Sequence, residues 1–291
     1  MIYLNFGHID SCERNFHKYQ NIVIQFTKSK KDLSIAQKEE KIIIVDGFFY
    51  DFEKCLKENN LSVGIKDPAH LIAEIEYECI KEFLKKVDGF FNVFILSSQS
   101  NELEIYSDHV GSRPLFFGSK RNEIFLSDNQ NFLIEKLGKA SLNKKKIIDY
   151  FIFMHDHGGD TFYTDIYKLN ARERLTINNQ GHFRQTYFEF LKIPEEKSEE
   201  FFISNFRDIF INSVRNCSSN SKGKIFSALS GGLDSSSITS VLAHLKENQV
   251  TAKTVVFDDL NDNQKRKTFE TDYANSVLDQ YEIEHDFINL S

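Results

Sequence analysis

The chain reads as an α+β domain followed by a smaller α/β unit built on a parallel sheet. Three patterns carry that reading: a succession of short β-branched and aromatic runs over the first two-thirds, helical periodicity between them, and regular strand–helix alternation in the last third. The early runs are Ile22 to Phe26, Lys41 to Val45, Phe90 to Leu96, Leu103 to Ser107 and Ile124 to Ser127, each bounded by Asp, Asn, Ser or Gly. Pro68 to Lys86 is expected as one helix, because Leu71, Ile72, Ile75, Ile80, Phe83 and Leu84 fall largely on one face. Asp67 before Pro68 supplies an N-cap and a first-turn proline. The segment from Phe188 to Glu200, with Pro194 and a charged run, is the expected boundary, giving domains 1–190 and 191–291. Beyond it come a helix at Glu199 to Asn216, strand Ile225 to Leu229, helix Ser235 to Glu247, strand Lys253 to Phe257, helix Glu270 to Gln280 and strand Glu284 to Leu290. That order predicts parallel strands joined by crossover helices.

Bulk properties exclude several classes. The 291 residues are enough for two cores, and 41% apolar with 27% charged residues is an ordinary globular balance. A net charge of −7 gives no cationic field for nucleic acid. No apolar stretch approaches the roughly 20 residues of a membrane span. The N-terminus lacks a basic segment followed by an apolar one, so a cytoplasmic protein is expected. Cys12, Cys55, Cys79 and Cys217 are scattered, which supports neither a zinc site nor a disulfide framework.

The sharpest signal is Ser227-Ala228-Leu229-Ser230-Gly231-Gly232-Leu233-Asp234-Ser235-Ser236-Ser237, between an apolar strand and a helix. Two glycines let the backbone turn tightly and approach a ligand without a Cβ in the way. Their amides, with the hydroxyls of Ser230, Ser235 and Ser236, can converge on phosphate oxygens at the positive end of the following helix. Asp234 would repel a bare phosphate, so its presence implies a divalent cation, Mg²⁺ held with a triphosphate. The structural alternative is a Gly-Gly turn whose Asp or Ser merely caps the helix. A Walker motif, a dinucleotide fingerprint and a G-x-S-x-G elbow are all absent.

This run resembles the loop of the N-type ATP pyrophosphatases, and LSGGLDSS is the form found in asparagine synthetases, β-lactam synthetases and lasso-peptide cyclases. The resemblance to the asparagine synthetase family spans almost the whole chain. Val45-Asp46-Gly47-Phe48-Phe49-Tyr50 resembles V-N-G-E-I-Y, and Asp67-Pro68-Ala69-His70 falls where S-D-T-E is usual. Val87 to Phe94 resembles L-D-G-M-F-A-F, Ser107 to Leu115 the R-D-x-x-G-x-K-P-L stretch, Thr161 to Leu169 the T-l-f-x-g-I-x-k-L segment, and Glu270 to Ala274 the E-x-x-Y-A segment. The implied architecture is an N-terminal-nucleophile amidohydrolase-like sandwich followed by a truncated ATP pyrophosphatase domain. The implied chemistry is ATP- and Mg²⁺-dependent: a substrate carboxylate attacks the α-phosphate, giving an acyl-adenylate and pyrophosphate, and an amine then displaces AMP. Leu229 and Val256 would contact the adenosine. Asp46, Gly47 and Asp67 would mark a vestigial glutamine pocket.

Two departures qualify the expected activity. A glutaminase of this class uses a residue-one Cys whose free α-amine acts as base, whereas Ile2 follows Met1 here. Asp46 replaces an oxyanion-stabilising Asn and, ionised, cannot donate. Glutamine hydrolysis is therefore expected to be lost, as in the β-lactam synthetases and lasso cyclases. The chain also ends at Ser291, before the family's later catalytic segments, so the catalytic residues are expected outside it. The leading expectation is a carboxylate–amine ligase acting on a small-molecule or peptide carboxylate and incomplete as this chain, which is either a fragment or one part of an enzyme completed by a second chain, with a homodimer also open. The rivals are a truncated nucleotide-binding pseudoenzyme, an enzyme of the β-lactam synthetase or lasso-peptide cyclase type, and a hydrolase.

Weaker constellations have bland explanations. His155-Asp156-His157 is expected as a loop rather than a metal site, Lys144 to Lys146 as a solvated helix start, and Asp258, Asp259 and Asp262 as a solvated turn near a strand end, with approach to a metal or ribose the alternative.

Overall fold

The computed structural model describes residues 2–5, 12–14, 21–26, 33–50, 52–61, 64–97, 99–121, 123–138, 141–155, 158–178, 180–190, 196–219, 223–245, 249–257 and 271–290. The chain divides into two compact units, Met1–Leu191 and Lys192–Ser291.

The first unit is built on two six-stranded sheets. One runs β12 (Gly181–Thr186), β11 (Glu173–Asn178), β7 (Glu102–Ser107), β6 (Gly89–Ser97), β5 (Lys41–Phe49) and β4 (Leu33–Lys38), antiparallel throughout. The other runs β10 (Tyr167–Lys168), β8 (Phe116–Lys120), β9 (Glu123–Ser127), β3 (Asn21–Gln25), β1 (Ile2–Asn5) and β2 (Cys12–Arg14), with parallel pairs at β3–β9 and β1–β3. Alternation along the strands sorts the side chains. Ile44, Phe94, Leu96, Leu103 and Ile105 meet Ile22, Ile24, Phe117 and Leu126 in the core between the sheets. On the opposite face of the antiparallel sheet, Ile43, Val45, Val93 and Ile95 pack against α1 (Phe52–Glu58), α2 (Pro68–Glu74) and α3 (Tyr77–Leu84). Helix α4 (Gln130–Leu137) covers Phe125 of the mixed sheet.

Two expectations need correction. The single helix from Pro68 to Lys86 is two helices, broken where Ile75 is extended at φ −83° and ψ 137°. The apolar sets explain the break: at 3.6 residues per turn, Leu71, Ile72 and Ile75 point roughly a third of a turn away from Ile80, Phe83 and Leu84. One straight helix could not bury both, whereas two bury Leu71 and Ile72, then Ile80, Phe83 and Leu84. The lysine run does start a helix, α5 (Lys144–Phe153), capped by Asn143, but Lys146 is buried rather than solvated.

The second unit carries three parallel strands in the order β13 (Ile225–Ala228), β14 (Val250–Phe257) and β15 (Glu284–Leu290). Among the described residues, helices α6 (Glu199–Ser219), α7 (Leu233–Leu245) and α8 (Thr271–Tyr281) accompany these strands. Val214 of α6 and Leu242 of α7 pack with Val250, and Ala274 of α8 with Leu229 and Ala252. Helix α7 starts two residues earlier than expected, so Asp234, Ser235 and Ser236 belong to its first turn.

Candidate functional site

Strand β13 delivers the glycine loop. Buried Leu229 keeps its amide in the sheet, donating to Lys253 O at 2.9 Å, while its carbonyl accepts from Thr254 Oγ1 at 2.5 Å. The chain then leaves the sheet through Ser230 and turns at Gly231, whose φ of +93° favours glycine. Two serines organise the turn. Ser235 Oγ accepts from Ser230 N at 3.2 Å and donates to Gly232 O at 3.1 Å, while Ser230 Oγ accepts from Gly232 N at 3.2 Å. Because the Ser235 proton goes to Gly232, Ser230 must donate across the 3.0 Å Oγ–Oγ contact. Helix α7 is pinned behind the loop by Ser227 Oγ and buried Thr239 Oγ1, 2.7 Å apart.

Three features leave this loop open to a ligand. The amides of Gly231, Leu233 and Asp234 donate to none of the described residues, as expected at a helix start. Asp234 is exposed and makes no hydrogen bond or ion pair with them. Ser236 Oγ is buried without a partner among them, a polar group that ordinarily finds one. These donors, with one carboxylate, suit a phosphate chain carrying a divalent cation: the free amides and the Ser236 hydroxyl for the oxygens, Asp234 for the metal. Val256 lies half-buried near the carboxyl end of β14, and Leu229 directly follows β13. Both are therefore at the edge of a parallel sheet where ligands bind in open α/β folds.

Sequence reasoning missed the support beneath the loop. Thr254 and His285 emerge only from the strand register, since neither sits in a motif. His285 Nε2 lies 2.9 Å from Thr254 Oγ1, and partial burial holds its ring below its ordinary pKa.

In the first unit, Asp46 points into the sandwich from β5, the same side as Ile44, and is 4% exposed. Arg113 Nη1 meets its Oδ1 at 2.6 Å, with both side chains under one-tenth exposed. Asp108 builds the turn that brings Arg113 there, accepting from Phe91 N at 3.1 Å, Val110 N at 2.9 Å, Ser112 N at 3.1 Å and the Ser112 hydroxyl. Asn92 Nδ2 holds the Arg113 carbonyl at 3.1 Å. Gly47 has φ +132°, and a Cβ there would stand 1.9 Å from Phe90 O and 2.9 Å from Arg113 Nε. Asp67 is turned to its own helix: its carboxylate caps α2 through His70 N at 3.0 Å and pairs with His70 Nδ1 at 2.8 Å.

Among the described residues no group of His, Cys, Asp or Glu could hold a metal ion by itself. His155 Nδ1 contacts Phe153 O at 2.8 Å, while Asp156 and His157 lie outside the described residues. Asp258, Asp259, Asp262 and Glu270 lie outside them too. No helix among the described residues is long and apolar enough to cross a membrane.

Residues 22–188 match the glutamine amidotransferase domain family and residues 205–291 the asparagine synthase family. The chain is 22% identical over 222 residues to asparagine synthetase [glutamine-hydrolyzing] 2 of Bacillus subtilis (strain 168), covering 71% of this chain but 30% of that protein. Among solved structures, it aligns with a glutamine phosphoribosylpyrophosphate amidotransferase from B. subtilis complexed with ADP and GMP. That match has a TM-score of 0.37 at 13% identity and covers 88% of this chain and 47% of that one. An allosteric regulatory enzyme of purine biosynthesis gives a TM-score of 0.37 at 12% identity over 88% of this chain and 46% of the other.

Proposed function

Since the chain belongs to the asparagine synthetase family, we propose that its second unit binds Mg-ATP for carboxylate activation and that its first unit no longer hydrolyses glutamine. The observation that carries the first part is the loop between β13 and α7. There, unengaged amides, the Ser230 and Ser235 hydroxyls and an exposed, unpaired Asp234 converge at a strand's carboxyl end.

In this reading the Gly231, Leu233 and Asp234 amides would hold the terminal phosphates, the Ser230–Ser235 hydroxyl pair keeps the turn in shape, and Asp234 would hold the metal. Mg²⁺ held there would neutralise phosphate charge, so that a substrate carboxylate could attack the α-phosphate of ATP, releasing pyrophosphate and giving an acyl-adenylate that an amine would open with loss of AMP. Leu229 and Val256 flank the nucleoside. The carboxylate and amine are supplied by the substrate, so a working glutaminase is not required.

For the first unit, the supporting observation is the Asp46–Arg113 pair. A buried carboxylate held by a guanidinium at 2.6 Å cannot donate to an oxyanion, and it fills the position that the family resemblance gives to a donor.

Calorimetric titration with Mg-ATP tests the loop. Wild-type chain should bind, and Asp234→Ala should weaken binding at least about tenfold, the scale of a lost charged contact. Equal affinity in both would remove Asp234 from the site. Release of pyrophosphate from ATP in the presence of candidate carboxylates, with and without the rest of a synthetase supplied as a second chain, separates ligase from passive nucleotide binding.

A further inference from the structure

The loop's position rests on a hydrogen-bond chain that crosses all three strands of the second unit. Strand β13 ends at Ala228, and the carbonyl of Leu229, the residue just before the loop, takes its hydrogen bond from a side chain. That donor is Thr254 Oγ1 of β14, on a residue only 4% exposed, reaching Leu229 O at 2.5 Å. A hydroxyl has one proton, and Leu229 O can only accept. Thr254 must therefore accept from the third strand, where His285 Nε2 lies 2.9 Å away. The imidazole then carries its proton on Nε2, the tautomer set by its partner.

We propose that Thr254 and His285 are positioning residues for the phosphate loop, a role that rests on reading that loop as a nucleotide site. Leu229 is 1% exposed, so loss of the Thr254 hydroxyl leaves its carbonyl buried without a donor. The peptide that would shift to relieve this leads straight into Ser230. Ser230 in turn contributes the amide and hydroxyl that meet Ser235. A displacement at Leu229 is therefore passed within one residue to the Ser230–Ser235 pair that holds the turn, and through it to the free amides that would face the phosphates. The pair touches no phosphate itself and acts through the backbone.

Valine and serine substitutions separate the hydrogen bond from packing. Thr254→Val keeps the volume and loses the donor; Thr254→Ser keeps the donor and loses a methyl. In Mg-ATP titrations of the full chain, Thr254→Val should weaken affinity about tenfold while Thr254→Ser stays within about twofold of wild type. His285→Gln, which retains a donor, should likewise bind more tightly than His285→Leu, and this pair decides the matter if Thr254→Val does not fold. Histidine ¹⁵N spectra of the unliganded wild type should show His285 protonated at Nε2 when neutral.

Val and Ser variants that bind alike, or an Nδ1–H tautomer, would overturn the relay. Wild-type binding that is lost in Asp234→Ala but unmoved in Thr254→Val would overturn the relay and leave the phosphate site standing. A wild-type chain that ignores Mg-ATP would overturn both.

Discussion

Arg113 and Asp46 bury opposite charges 67 residues apart in sequence, and each offsets part of the other's burial cost. Removing one partner takes a neutralising charge away from the other. Arg113→Met should lower stability by about 3–5 kcal/mol, read from urea unfolding followed by far-ultraviolet circular dichroism. The double variant Arg113→Met with Asp46→Asn should recover part of that loss, because it buries no net charge. A double variant as unstable as the single one would show that the arginine acts by packing alone. Asp46 is conspicuous in the sequence as an acid where the resemblance expects an amide. Its partner is not, because no local spacing connects β5 to the turn that Asp108 organises. Thr254 and His285 are hidden for the same reason: their significance is their register across β14 and β15, and a strand pattern read alone does not supply register.

At the level of elements, period and punctuation account for most of what can be read from the chain. Strands β6, β7 and β9 lie within one residue of their expected ends, and β5 runs four residues past Val45. The extension arises because Gly47 lets the backbone pass Phe90 and Arg113 where any Cβ would collide, so the ladder continues through Asp46↔Asn92 to Phe49↔Gly89. A glycine in a strand pattern signals a stop as readily as a close approach, and only the neighbouring strand decides which. The split of α2 from α3 is another tertiary outcome, imposed by a sheet that both helices must cover. Asp67 serves the first of these as its N-cap. Asp67→Ala should lower stability by about 1 kcal/mol and Asp67→Asn by much less, since asparagine caps as well. Thermal unfolding of the two variants checks this, and equal shifts would show that the contact with the His70 ring, not the cap, is what matters.

At the scale of the molecule, each unit has its own core. The clusters around Phe94 and Ile43 belong to the first unit, and those around Leu242 and Leu229 to the second. Phe94 is fully buried between the sheets, where Phe26 meets its ring edge-on at 5.5 Å. Phe94→Ala should therefore lower the first unit's stability by about 3–5 kcal/mol while leaving Mg-ATP affinity unchanged at temperatures where the protein is folded. A parallel fall in affinity would show that the loop depends on the first unit. What the sequence determined by itself was local: the residue types of the phosphate loop, the alternation that makes three parallel strands, and the family signature carried by short motifs. Each depends on neighbours along the chain and on the fixed periods of strand and helix. Tertiary structure alone decided which charges share the sandwich interior, where one apparent helix becomes two, and which buried hydroxyl supports the carbonyl beneath the loop. Those outcomes depend on contacts between distant segments, which exist only once the sheets have paired.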